Sequence, residues 1–354
     1  MNGLHYAVLV GINRYPGISD LRGARRDAES FREWLVDPEG GALPEENVKL
    51  VGATLDDAQV LDPFEALPTQ REVNRALYQV NKAVKAKTRA QPTSWLRSRL
   101  YFFLAGHGIA PQRGEAAVLM ADASKEMLGC NIGLSLYAEW YQLCSVFREI
   151  VFFADCCRSR MSLAPPFPPP FTECGTKPEK VASVIGFATS LGQAAYEQED
   201  AEADPDGARG YFSKALIEGL RGGAADERGE ISSNTLAQYV RLLVQDMTKN
   251  RVSPQDAAMN ADPALPVVFR PAAQDLTRPT RSVRLRFPPG YIEPVQLLDG
   301  SYGKLDNWDP ADGDWEMQLI DGLYRVASIV GSAPSPFRNN GLFEVFGGDV
   351  DVQL

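Results

Sequence analysis

Ile150-Val151-Phe152-Phe153-Ala154-Asp155-Cys156-Cys157-Arg158-Ser159 decides how this chain reads. An apolar run of strand length passes straight into an acid, two thiols and a polar turn. Apolar residues without alternation are what a strand covered on both faces requires. Upstream, Leu100-Tyr101-Phe102-Phe103-Leu104-Ala105 ends in the same manner, in Gly106-His107-Gly108. Two buried strands therefore deliver a thiol and an imidazole at their C-terminal ends, where the functional crevice of a parallel sheet lies. An imidazole beside a thiol draws it toward the thiolate and supplies a proton to the leaving amine.

Outward from these strands the chain alternates. Tyr6-Ala7-Val8-Leu9-Val10 is another continuous apolar run, ending at Gly11. Leu21, Ala24, Ala28, Phe31 and Leu35 recur at helical spacing and predict a helix over about residues 20–36. Val48 to Val51 reads as a strand, and Thr69-Gln70-Arg71-Glu72 as the capping box of a helix carrying Val73, Leu77, Val80 and Val84 on one face. Leu136, Trp140, Leu143 and Phe147 mark a further helix, and Val181 to Ala188 a further strand. Helices follow at about 211–221 and 233–248, with a last strand at Pro266 to Phe269. The pattern predicts an α/β domain, an α/β/α sandwich with a mainly parallel central sheet, over residues 1–270. Residues 271–279 read as a linker. Beyond them, short alternating segments separated by Asp-Gly and Asn-Gly pairs predict a small all-β, sandwich-like domain over 280–354.

Composition bounds the function. The formal net charge of −10 argues against a nucleic-acid or anionic-membrane surface. No run of about 18 apolar residues exists to span a bilayer. The N-terminus lacks the charged and apolar regions of a signal peptide. Five cysteines at 130, 144, 156, 157 and 174 form no paired zinc motif, so reduced thiols in a cytoplasmic protein are expected.

The chain has two histidines. His5 opens the first strand and reads as a packed residue. His107 stands between glycines that allow close backbone approach to a substrate. Adjacent Cys156 and Cys157 point to opposite faces, so one at most faces His107. Cys156 reads as a small buried hydrophobe, with a redox role for the pair as an alternative. Asp155 shares the face of Cys157 and puts a carboxylate beside the cleft, favouring a cationic substrate side chain.

Tyr6 to Asn13, Ala105-Gly106-His107-Gly108, Asp155-Cys156-Cys157-Arg158-Ser159 and Tyr211-Phe212-Ser213 resemble the signature segments of caspase-like cysteine peptidases, closest to the metacaspase and bacterial caspase-like branches. The resemblance covers about residues 4–270. It implies a caspase-like fold, with Cys157 as nucleophile, His107 as acid/base, and the backbone N–H groups of Gly108 and Cys157 as the oxyanion hole. It further implies that Asp27 and Asp155 line a pocket for Arg or Lys; the plain reading of Asp27 alone is a solvated acid on a helix face. Arg158 and Arg160 depart from the family's His and Gly. Many relatives bind calcium through a double Asp after the segment matching Asp122, but Ile132-Gly133-Leu134-Ser135 has no such pair, so no cofactor is expected.

Pro165-Pro166-Phe167-Pro168-Pro169-Pro170 sits where caspases carry the linker between their catalytic portions. Arg158, Arg160, Lys177, Lys180 and Arg209 are candidate processing sites, for self-cleavage or for an upstream activating protease. The expected activity is an endopeptidase acting on protein substrates with exposed Arg or Lys. The resemblance also suggests a bacterial immune or cell-death pathway. The rival is a catalytically silent scaffold of the same fold.

Overall fold

The computed structural model describes all residues except 1, 53–61, 113, 176–179, 198–207, 227, 273–279, 301–302, 330–335 and 346–347. It divides into two compact units. The first comprises Met1–Ile217 and Met247–Val267, the second Glu218–Asp246 and Val268–Leu354.

In the first unit the strands are β1 (His5–Gly11), β2 (Val48–Val51), β3 (Arg99–Ala105), β4 (Gly108–Ala110), β5 (Ala117–Leu119), β6 (Asn131–Gly133), β7 (Glu149–Asp155), β8 (Ser159–Arg160) and β9 (Ala182–Phe187). The helices are α1 (Ala24–Val36), α2 (Gln70–Ala90), α3 (Leu134–Cys144) and α4 (Tyr211–Glu218), the last ending one residue into the second unit. The second unit opens with β10 (Ile231–Ser232) and α5 (Ser233–Met247), before the chain returns to the first for β11 (Ala258–Ala261).

Six strands form the central sheet in the order β11-β9-β7-β3-β1-β2. All neighbours are parallel except β11, which runs antiparallel to β9. The continuous apolar runs are explained by burial on both faces: every residue of β3 is buried, and so are Ile150 to Asp155 of β7. Residues alternate between the faces. Phe102 and Phe152 join a core cluster with residues of α2 and α3, including Val73, Leu77, Val80 and Tyr141. Phe103 and Phe153 point the other way and pack on Phe31 of α1, with ring centroids 5.1 and 6.0 Å apart. Each fully buried Phe of this kind contributes roughly 1.5–3 kcal/mol.

The capping box read from the sequence is present. The Thr69 hydroxyl accepts from Arg71 N at 3.2 Å, and Glu72 Oε2 accepts from Thr69 N at 3.0 Å. A second, four-stranded sheet, β6-β5-β4-β8, grows from the turn after β3. The Pro-rich segment has no helix or strand over 161–175, yet it is docked: Trp140 Nε1 donates to Phe171 O at 3.0 Å, and Glu173 pairs with Lys85 and Arg89 of α2. One expectation is corrected there. Cys144 and Cys174 form a disulfide, and Cys130, Cys156 and Cys157 are free. Gly175 N donates to Cys144 O at 2.6 Å, and a Cβ on Gly175 would lie 2.4 Å from Ser145 O, so a glycine lets the strap reach the end of α3.

The second unit continues with β12 (Val268–Arg270), paired with β10 and not with the central sheet. Its remaining strands are β13 (Thr280–Arg286), β14 (Val295–Asp299), β15 (Lys304–Trp308), β16 (Trp315–Ile320), β17 (Gly322–Ser328), β18 (Leu342–Val345) and β19 (Val350–Gln353). They form sheets β16-β13-β19 and β15-β14-β17-β18 around a common core that includes Val283, Leu285, Val295, Trp315, Val326 and Val345. Alternating burial in β13 and β17 accounts for the alternating sequence there. Among the described residues, no helix is long and apolar enough to cross a membrane.

Candidate active site

Register brings the two strand ends together. β3 and β7 pair from Arg99↔Glu149 to Ala105↔Asp155, and Gly106 N donates to Asp155 O at 3.1 Å. His107 and Cys157 each lie two residues past that last pair. The glycine after the histidine is required by packing. A Cβ on Gly108 would sit 2.4 Å from Cys156 Sγ and 2.6 Å from Cys157 O. Parallel pairing of Ile109 with Ser159 then holds the two segments side by side.

His107 is fixed from its backbone and its ring. Tyr15 Oη accepts from His107 N at 3.0 Å and donates to Leu119 O at 3.1 Å, and the two rings are 4.9 Å apart. His107 Nε2 lies 2.6 Å from Ser19 O. A carbonyl only accepts, so Nε2 carries the hydrogen and Nδ1 keeps the lone pair of a base. Cys157 Sγ lies 3.3 Å from Ala195 N, which donates to it, and 3.7 Å from Ala195 O. Burial pushes the Cys157 thiol up, the Ala195 N–H works against that shift, and the charges of Asp155 and Glu197 add to it. Cys156 is buried in the core, as strand parity requires.

His107, Cys157, Asp27, Asp155, Glu197 and Gly210 line one cleft. Asp155 accepts from Ser213 N at 3.1 Å and Ser213 Oγ at 2.5 Å. Asp27 is 2 % exposed; it accepts from Gly210 N at 2.9 Å and pairs with Arg209 Nε at 2.8 Å. It is therefore no solvated helix-face acid. Burial, reinforced by the charge of Asp155, raises Asp27 to about 8 against the pull of Arg209. Burial raises Asp155 to about 6, with the Ser213 hydrogen bonds opposing it. Glu197 accepts from Arg22 N at 3.1 Å and Gly23 N at 2.8 Å, at the start of α1. Asp27, Asp155 and Glu197 thus line the cleft together, with Arg209 paired to Asp27. Burial of Asp27 and Asp155 favours their protonated forms until a cation arrives.

A family model described as "Caspase domain" matches residues 4–265. The chain belongs to this caspase-domain family. It is 31% identical over 229 residues to "Probable protease Ga0182885_104520" of a Desulfuromonadales bacterium, a match covering 62% of this chain and 26% of that protein. The chain thus spans about a quarter of the length of the curated relative it matches. Among solved structures, the protein GSU0716 from Geobacter sulfurreducens aligns with a TM-score of 0.40 at 13% identity, over 74% of this chain and 96% of that one. Pro-sf-caspase-1 aligns with a TM-score of 0.37 at 14% identity, over 73% and 91%.

Within the caspase domain the candidate processing residues differ in environment. Arg160 and Lys180 are exposed, and Lys180 Nζ contacts Asp262 Oδ2 at 2.5 Å. Arg158 is buried, Arg209 holds Asp27, and Lys177 lies outside the described residues. Asp122 is raised by its partial burial and lies beside the Cys130 thiol. Among the described residues, no three His, Cys, Asp or Glu side chains are grouped to hold a metal ion. Sequence reading missed Tyr15, Ser19, Ala195 and Glu197, and gave Ser213 a place in a signature segment but no role. Ser19 and Ala195 act through backbone atoms, which carry no signature in residue identity. Glu197 was visible only as one polar residue among many.

Proposed function

We propose that this caspase-domain protein is an endopeptidase that cleaves protein substrates after Arg or Lys, with Cys157 as nucleophile and His107 as acid/base. The observation that carries the reading is the single cleft lined by His107, Cys157 and the carboxylates of Asp27, Asp155 and Glu197. His107 Nδ1 takes the Cys157 thiol proton as Sγ attacks the scissile carbonyl, and the N–H groups of Gly108 and Cys157 donate to the oxyanion of the tetrahedral intermediate. His107 passes its proton to the leaving amine. It then takes a proton from the water that opens the thioester and frees the enzyme. A basic substrate side chain relieves the repulsion among the carboxylates, which is the source of selectivity. Arg209 already pairs with Asp27, and Asp155 and Glu197 remain to attract a further cation.

A panel of fluorogenic peptides differing only at the residue before the scissile bond tests this. Arg and Lys peptides should be cut at least about tenfold faster than Asp, Leu or Ala peptides, and Cys157→Ala should cut none. Preference for Asp, or activity surviving in Cys157→Ala, overturns the proposal.

A further inference from the structure

Arg158 follows the candidate nucleophile directly and departs from the family's histidine, yet its side chain is buried. Its Nε donates to Glu115 O at 3.1 Å and its Nη1 to Thr189 O at 3.2 Å. Its guanidinium carbon stands 4.5 Å from the centre of the Phe187 ring. Among the described residues its hydrogen-bond acceptors are carbonyls, whose positions are fixed by the backbone. One side chain therefore ties the end of β7 to the segment before β5 and to the end of β9. A guanidinium is well shaped for such a tie, since a planar fork with donors in fixed directions can hold two carbonyls and lie on a ring at once.

The main chain of the same residue completes the clamp. Arg158 N donates to Gln193 O at 3.1 Å, and Gly192 N donates to Arg158 O at 2.9 Å. The loop so held, from Ala188 to Glu197, is closed at its ends by a second buried side chain. Gln255 Nε2 donates to Ala188 O at 2.8 Å, and Gln255 Oε1 accepts from Tyr196 N at 3.0 Å. Between these anchors lies Ala195, whose N–H is 3.3 Å from Cys157 Sγ. A backbone donor at that distance stabilises a thiolate only while the loop keeps it aimed, because hydrogen-bond strength falls steeply with angle. Burial of Cys157 opposes ionisation, and the Ala195 N–H opposes burial. The balance of the two depends on the loop.

We propose that Arg158 is a positioning residue for the nucleophile: by clamping the Ala188–Glu197 loop it holds the Ala195 N–H on Cys157 Sγ and keeps the thiol ionisable. An imidazole is shorter than a guanidinium and lacks its fork, so the two-carbonyl tie belongs to the arginine. The inference rests on Cys157 being the nucleophile, and its test does not depend on turnover.

The experiment measures iodoacetamide alkylation at Cys157 across pH, by peptide mass spectrometry, in the full chain and in Arg158→Gln, Arg158→Lys and Arg160→Gln. Arg160 is exposed two residues on and controls for the lost charge. Near-ultraviolet circular dichroism establishes that each variant is folded. In Arg158→Gln the alkylation midpoint should move to higher pH and peptide turnover should fall by about a hundredfold, the scale of a misplaced reacting group. Arg158→Lys, with charge but no fork, should fall between, and it carries the test if Arg158→Gln does not fold. Arg160→Gln should match the parent. An unmoved midpoint in folded Arg158 variants, or an equal shift in Arg160→Gln, overturns the proposal. Loss of the Cys157 assignment would show separately, as turnover persisting in Cys157→Ala.

Discussion

At the scale of the residue, the acids of the cleft set a pH dependence whose sign can be worked out. Asp155 is raised to about 6 and Asp27 to about 8, both first by burial. Below that window the carboxyls hold protons and attract a cation weakly. As pH rises from about 6 to about 8 they ionise in turn. KM for an Arg peptide should therefore fall across this interval, and Asp27→Asn should remove its upper part. A KM equally flat in both proteins would refute the role given to Asp27. The linked effect on folding has the opposite sign. The unfolded chain releases these protons near the ordinary carboxylate range and the folded chain retains them, so stability falls as pH rises toward about 8. Gly210 has a related constraint. A Cβ there would lie 2.3 Å from Asp155 Oδ2 and 3.0 Å from Asp27 Oδ2, so Gly210→Ala must push the acids apart. The expected cost is about 1–3 kcal/mol of stability, with at least about a tenfold loss of kcat/KM on Arg peptides; parental kinetics in that variant would count against the pocket. Asp27 and Asp155 were legible in the sequence through the family pattern. Their internal partners, Arg209 and Ser213, were not, because pairing across 182 and 58 residues leaves no local periodicity.

At the scale of the element, the central strands were legible because burial on both faces forces an unbroken apolar run, as in β1, β3 and β7. The capping box of α2 was legible because its two reciprocal hydrogen bonds need Thr and Glu three residues apart. β11 was not. Ala258-Met259-Asn260-Ala261 is half-buried at the sheet edge and carries no β-branched residue. The strand read at Pro266 to Phe269 exists in part, but pairs with β10, since apolar content does not specify a partner. The cap offers a clean test of local energetics. Thr69→Ala removes the hydroxyl that accepts from Arg71 N and should cost about 1 kcal/mol, read as a lower denaturant midpoint at unchanged slope for the first unit. Turnover should stay at the parental level, because α2 supplies no side chain to the cleft. An unchanged midpoint would mean that water replaces the cap at no cost.

At the scale of the whole molecule, the sheet order decides what a cut between β7 and β9 can do. The docked Pro-rich strap lies in sequence between β7 and β9, which are neighbours in the sheet with six paired positions. Lys180 is exposed at the end of this connection, and only Val181 separates it from β9. Cleavage after it would divide the chain into 1–180 and 181–354, and would divide the central sheet between β7 and β9. Nothing in the pairing of those strands requires the connection to remain intact: the ladder and the packing of Phe153 on Phe212 join the two pieces without it. Loss of the covalent link costs loop-closure entropy, which grows only slowly with loop length. The processed protein should therefore keep the elution volume of the intact chain in gel filtration and separate only in denaturant. Intact-mass analysis should find the two pieces in the parent and a single chain in Cys157→Ala. Pieces that separate under native conditions would show that the connection holds β9 in place. A cut that persists in Cys157→Ala would assign the cleavage to another protease.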